Sequence, residues 1–225
     1  LLESVERLAE VADRWEDLDG LVEDIASHGD LDRRDLYELR LRSVVWYRDR
    51  LGDPARAERT LVDAIPLDPE PIEAHAQLVD LLRSQDRTAD LVSALRAWGE
   101  VEPVAESRIT LLREAADLAR SAVGDADLAA EQYQALLSVD RNDLDALRAL
   151  AAIRAEQSRW NEAVSLLERQ LEVAPGDERA EVARAIGAAY RDHLNDARAA
   201  IVAYEAALDI DDDDVETMDA LEGLY

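Results

Sequence analysis

The 225-residue chain has no cysteine and no phenylalanine, and only one methionine, eight glycines and six prolines. Without cysteine, disulfides, thiolate nucleophiles and cysteine-ligated metals are all excluded. Lysine is also missing, so the 25 bases are arginines, planar forks of fixed charge. No run approaches the roughly 18 to 20 consecutive apolar residues that cross a bilayer. The opening LLESVERLAE carries acids where a secretory leader would carry bases. These absences predict a soluble chain, with the cytoplasm favoured and no membrane insertion. Bases are outnumbered by 52 acids, for a formal net charge of −27. That field repels nucleic acid and attracts a basic protein or peptide; salt-tolerant or GC-rich coding habits explain the same acidity without a partner.

What is abundant is alanine and leucine, 39 and 33 residues against 17 valines and 8 isoleucines. These strong helix formers exclude an all-β fold. With 48% of residues apolar and 34% charged, there is enough to bury and enough to solvate.

The chain repeats itself. VVWYRDRLGDPARAERTLVDAI from Val44, AADLARSAVGDADLAAEQYQAL from Ala116 and a stretch containing IGAAYRDHLNDARAAIVAYEAA, near Ile186, align without gaps. A second kind of unit lies between them, around ADRWEDLDGLVEDI, RSQDRTADLVSALRAW from Arg83 and AEQSRWNEAVSLLERQL from Ala155. Each unit reads as two amphipathic helices. In the first long unit, Leu41, Val44, Val45 and Leu51 form the apolar face of one helix, and Gly52 ends it in the left-handed conformation. Asp53 caps the next helix, Pro54 opens it, and Ala57, Leu61, Ala64 and Ile65 face inward. Pro66 and Pro69 close it. The same punctuation recurs at Gly124-Asp125 and Asn195-Asp196. About thirteen helices with short connections must run antiparallel to their neighbours.

At these residues the second helices resemble the tetratricopeptide pattern Ala-x3-Phe/Tyr/Leu-x2-Ala-x4-Pro. It is carried by Ala57, Leu61, Ala64 and Pro69; by Ala163, Leu167, Gln170 and Pro175; by Ala129, Tyr133, Leu136 and Arg141; and by Ala200, Tyr204, Ala207 and Asp212. Degenerate copies at Leu91, Leu95, Trp98 and Pro103 and at Leu18, Val22, Ile25 and Asp30 complete six. The first helices lack the usual Trp-Leu-Gly-Tyr signature, and every second repeat carries an extra turn before its Gly-Asp. The doubled form is similar to arrays in very large bacterial proteins. The resemblance implies an all-α, right-handed solenoid of about six helix pairs, over 1–30, 31–69, 70–103, 104–141, 142–175 and 176–212, with a partial seventh at 213–225. VETMDALEGLY matches the start of the repeat at Leu144 and stops in mid-helix, so we expect a fragment of a longer array with apolar ends able to self-associate.

No catalytic motif is present. His28, His75 and His193 share no ligand spacing, and no GxSxG, GxGxxG or phosphate loop occurs. No cofactor is expected. Asp211 to Asp214 offer oxygens to a hard cation but lack a calcium-loop pattern, and they fall where a helix cap is due. Trp15 and Trp160 open equivalent helices and read as packing residues; Trp98, Tyr133 and Tyr204 read as core. Tyr37, Trp46 and Tyr47 crowd one helix with Arg40, Arg42, Arg48 and Arg50, which suits either a core or a partner hot spot. The tetratricopeptide resemblance implies that first helices line a groove for a peptide or partner helix, turning Glu73, Ala76, Asp80 and Arg83, and Asp145, Arg148 and Ala152, towards it. The candidate partner-binding residues are therefore Glu73, Asp80, Arg83, Asp145, Arg148, Tyr37, Arg40 and Trp46. The chaperone-tail clamp of some tetratricopeptide proteins needs lysine and is disfavoured. The leading expectation is a non-catalytic interaction scaffold; the alternatives are a regulatory arm of a larger enzyme or signalling protein and a self-associating array.

Overall fold

A computed structural model describes residues 2–28 and 31–225, without the side chains of Leu2, Glu3, Val5, His28 and Asp177. Asp30, the last position of the first repeat pattern, and the His28 side chain lie outside the described residues. The chain is all-α, with thirteen α-helices and no strand among the described residues: α1 (Leu2–Ala12), α2 (Trp15–His28), α3 (Arg33–Asp49), α4 (Pro54–Ala64), α5 (Ile72–Ser84), α6 (Thr88–Val101), α7 (Ala105–Leu118), α8 (Ala126–Val139), α9 (Leu144–Glu156), α10 (Trp160–Val173), α11 (Gly176–Ala189), α12 (Ala197–Leu208) and α13 (Val215–Glu222). It divides into two compact units, Leu1–Leu111 and Leu112–Tyr225. Within each, helices pack chiefly on their sequence neighbours, the stacking of a repeat array.

The repeat pattern is the core. Ala57, Leu61 and Ala64 of α4, Ala129, Tyr133 and Leu136 of α8, and Ala200, Tyr204 and Ala207 of α12 are all buried. Alanine at the first position lets a neighbouring helix approach, and the larger residue one turn on fills the space beside it.

Two kinds of helix ending alternate in step with the short and long repeats. In the short repeats α1, α5 and α9 finish on left-handed Asp13, Asp86 and Ser158. The N–H groups of Arg14, Arg87 and Arg159 then bond to the carbonyls five residues back, of Ala9, Leu82 and Arg154, at 3.0, 3.2 and 2.8 Å. This is the Schellman ending. In the long repeats the left-handed residue is Gly52, Gly124 or Asn195, and the N–H of Asp53, Asp125 or Asp196 reaches six residues back, to Tyr47, Ala119 or Tyr190, at 2.7, 3.2 and 3.0 Å. The closing ring holds one residue more, and the backbone over Ala119–Val123 and Tyr190–Leu194 is π-helical. The extra turn read from the sequence is a longer first helix, 13 residues in α5 and α9 against 17 in α3 and 14 plus a five-residue π segment in α7 and α11, and the widened end adds one residue to it.

Each of those aspartates also caps the helix that follows, accepting from the N–H of Arg56, Leu128 or Ala199 at 2.9, 2.9 and 3.0 Å. Asp196→Ala is expected to cost about 1 kcal/mol. An unchanged thermal melting curve would place the repeat boundary elsewhere.

His75 of α5 is buried, and its Nδ1 has no hydrogen-bond partner. Burial holds its pKa below 6.5, so the unfolded chain takes up the proton more readily than the folded one. The stability associated with neutral His75 is complete above the unfolded pKa and is lost as pH falls through it. His75→Leu should therefore lose less stability between neutral and mildly acidic pH than the parent, read as a smaller shift of the urea midpoint. Equal shifts in both proteins would contradict this.

Candidate functional site

The aromatic and arginine-rich helix α3 is committed inward. Tyr37, Trp46 and Tyr47 are all buried. The N-cap position of α5 is Pro71, which offers no side-chain acceptor, and the Tyr37 hydroxyl takes its place by accepting from the Ala74 N–H at 3.2 Å. Trp46 donates its indole N–H to Glu6 at 3.0 Å, and Arg42 reaches the same carboxylate at 3.0 Å. Tyr47 donates to Asp19 at 2.7 Å, with Arg56 stacked 4.6 Å above its ring. Arg40 pairs with Glu23 at 3.1 Å, its side chain 17% exposed. Burial thus corrects the expectation that Tyr37 and Trp46 belong to a partner surface: both tie α3 to neighbouring helices. The same geometry corrects Val45, expected inside, which faces solvent because Val44, Trp46 and Tyr47 take the inward positions.

Glu73, Asp80 and Arg83 are exposed on α5, in the first unit. Glu73 accepts from the Gln77 side chain at 2.9 Å, and Arg83 pairs with Asp80 at 3.2 Å. Asp145 and Arg148 lie in the second unit, and there the structure forms a defined concavity.

This groove, about 490 Å³, opens between the first helices α7 and α9. Tyr133 and Leu136 of α8 form its floor; Arg113 and Asp117 come from α7, Arg120 from the widened turn after it, and Asp143, Asp145, Arg148 and Ala152 from α9 and its cap. Tyr133 donates to Asp117 at 2.7 Å. Its pKa is pushed up to about 12, by burial first and by that bond second, so the phenol stays a neutral donor. Asp143, with its side chain only 5% exposed, caps α9 through the Ala146 N–H at 2.8 Å and is gripped by Arg113. That hydrogen bond raises the pKa of Arg113 further and keeps it charged.

A ladder runs along the first helices of this unit. Arg113 binds Asp143, Arg148 binds Glu178, and Arg184 binds Asp214 at 3.3 Å and Glu216 at 3.2 Å. The first three of those acids lie 30 residues after their arginines. Each arginine of the ladder is therefore engaged by the next repeat, whereas Asp145 keeps its side chain 86% exposed and reaches Arg148 only at 3.7 Å. Sequence reasoning found Asp145, Arg148 and Ala152 but missed Arg113, Arg120 and Asp143. The recurring arginine-to-acid interval of the ladder is the available signal for Arg113 and Asp143, and Arg120 has none.

Asp214, the last of the four consecutive aspartates, is a cap: it accepts from the Thr217 N–H at 3.2 Å and hydroxyl at 2.6 Å. Those bonds, the hydroxyl first, hold its pKa below the usual carboxylate value. Among the described residues no cluster of three or more metal-ligating side chains forms, and no helix is long and apolar enough to cross a membrane.

No protein-family model and no curated protein matches the chain. Among solved structures it is similar to YrrB, titled a TPR protein with an unusual peptide-binding site, at 16% identity over 82% of this chain and 91% of that one, with a TM-score of 0.44. It is also similar to MamA from Desulfovibrio magneticus RS-1, at 14% identity over 82% and 98% of the two chains (TM-score 0.42), and to a tetratricopeptide repeat protein from Parabacteroides merdae, at 19% over 84% and 72% (TM-score 0.41).

Proposed function

We propose that this chain is a non-catalytic interaction scaffold that binds a basic protein segment along its first helices, with the groove between α7 and α9 as the principal contact. The supporting observation is the arginine ladder. Because its guanidinium groups are neutralised by carboxylates of the following repeat, the groove is left with Asp117 and Asp145 against one further arginine, Arg120, in a chain of net charge −27. A basic segment is drawn in by the long-range field, and its arginines or lysines replace water at Asp145 and Asp117. The residues lining the groove are arginine, aspartate, tyrosine and small apolar side chains, a set suited to recognition.

The test is a capture experiment from source-cell lysate with salt-stepped elution, run in parallel with Asp145→Arg. A basic protein retained by the parent, released as salt rises and about tenfold depleted on the variant supports the reading. Equal retention by both, or release indifferent to salt, contradicts it.

A further inference from the structure

The second unit carries another concavity, on the side formed by the second helices. Helix α11 packs on both α10 and α12, and between those two a groove of about 470 Å³ stays open. Leu171 of α10, Ile186 of α11, Tyr190 just beyond α11, and Ala199, Val202, Ala203 and Ala206 of α12 make it largely apolar.

Its character is clearest against the equivalent groove one repeat earlier, between α8 and α10, of about 310 Å³. Aligning Ala163 with Ala200 pairs Glu162 with Ala199, Ser165 with Val202, Leu166 with Ala203 and Arg169 with Ala206. Arg154, which takes in this groove the place that Tyr190 takes in the other, ion-pairs with Glu162 at 3.2 Å, and Arg169 donates to the Arg141 carbonyl at 2.8 Å. The earlier groove is narrowed and bridged by long polar side chains. In the later one three of those positions are cut back to alanine, the serine gives way to valine, and Val202 stands 62% exposed. The cost of leaving apolar walls in water is met here and avoided in the adjacent repeat.

The dimensions and the charge identify the occupant. From Ala199 to Ala206 the wall of α12 runs roughly 10 Å, two helical turns, which matches anchors at i, i+3 or i+4, and i+7 of a docked helix. Two carboxylates, Glu168 and Asp196, border the groove against one guanidinium, Arg198, and the neighbouring Glu172 and Glu205 are exposed acids. A second copy would bring another −27 into contact. We propose that the groove between α10 and α12 docks a basic amphipathic helix of a partner protein, its aliphatic stripe against the alanines of α12 and its basic flanks against Glu168 and Asp196. This site is separate from the first-helix groove and does not rest on it.

The probe is a labelled leucine and lysine peptide of about 18 residues, amphipathic as a helix, compared with a scrambled isomer of identical composition. The parent protein should bind the amphipathic peptide about tenfold more tightly than the scramble, by fluorescence anisotropy. The triple variant Ala199→Glu, Ala203→Leu, Ala206→Arg, which installs the side chains that the preceding repeat already accommodates, should remove that preference. Val202→Gln, on an exposed position that folding does not need, should weaken binding several-fold. A basic peptide without large apolar residues should not displace the helix, which distinguishes this groove from the first-helix one. Equal binding of scramble and helix, or an unaffected triple variant with an intact helical spectrum, overturns the proposal. So does a parent dimer in sedimentation that the triple variant dissolves, because the occupant would then be a second copy.

Discussion

Gly187→Ala is expected to destabilise the protein by about 2 kcal/mol, although in an open helix interior the same change gains up to about 1 kcal/mol. Gly187 lies within α11, and a Cβ there would stand 2.7 Å from two ring atoms of Tyr204 and 2.9 Å from a third. The ring has nowhere to go. Tyr204 is buried against Ala200 and Leu221, with Tyr190, Ile201 and Leu208 packed around that cluster and the Arg191 guanidinium 5.7 Å from its centroid. Gly20 of α2 supplies the control, since a Cβ there meets nothing within 4 Å; Gly20→Ala should raise the melting temperature while Gly187→Ala lowers it by several degrees. Shrinking the opposing side chain should relieve the clash, so Gly187→Ala combined with Tyr204→Leu should lose at least about 1 kcal/mol less than the two changes summed. Additive losses would show that the contact between α11 and α12 is looser than described.

Asp143→Ala should cost about 2 to 3 kcal/mol, the largest effect expected of any polar substitution. Two losses combine. The Ala146 N–H at the start of α9 loses its acceptor, worth about 1 kcal/mol, and Arg113 loses a charge-assisted bond worth about 1.5 kcal/mol, the low end for such a bond because the arginine side chain is 45% exposed. Asp143→Asn should fall between parent and alanine, because its amide oxygen still caps the helix but carries no charge. Urea unfolding read together with amide exchange at the start of α9 checks both parts. A loss below about 0.5 kcal/mol would mean that the Arg113 and Asp143 rung contributes nothing to holding successive first helices together.

The parts of the fold legible in the sequence are those governed by neighbours in the chain. Ala57, Leu61 and Ala64 were read as an inward face from their spacing and are fully buried. Gly52, Asp53 and Pro54 were read as a stop, a cap and a start, and hold those places with Gly52 at φ 61° and Asp53 bonded to the Arg56 N–H. Contacts between repeats were less legible. Tyr37, Arg40 and Trp46 look alike as exposed recognition or as packing until Glu6, Glu23 and the Ala74 N–H, which lie on other helices, are seen to satisfy them. Of the groove, Asp145, Arg148 and Ala152 are legible because they lie on the one helix face that the repeat pattern describes. Arg113 comes from the first helix of the preceding repeat, and Asp143 precedes α9, outside the helix face that the pattern describes. The left-handed Asp13, Asp86 and Ser158 escaped notice because none is glycine, although each is followed by an arginine at equivalent places in the short repeats.

The most direct measurement is a nuclear magnetic resonance titration of the protein with an arginine- and lysine-rich peptide lacking large apolar residues, at low and at raised salt. Shift changes are expected to concentrate on Arg113, Asp117, Tyr133, Asp145, Arg148 and Ala152, saturable at low salt and strongly weakened as screening increases. Changes scattered over every acidic helix, or absent from the groove between α7 and α9, would contradict the assignment of that groove as the binding surface.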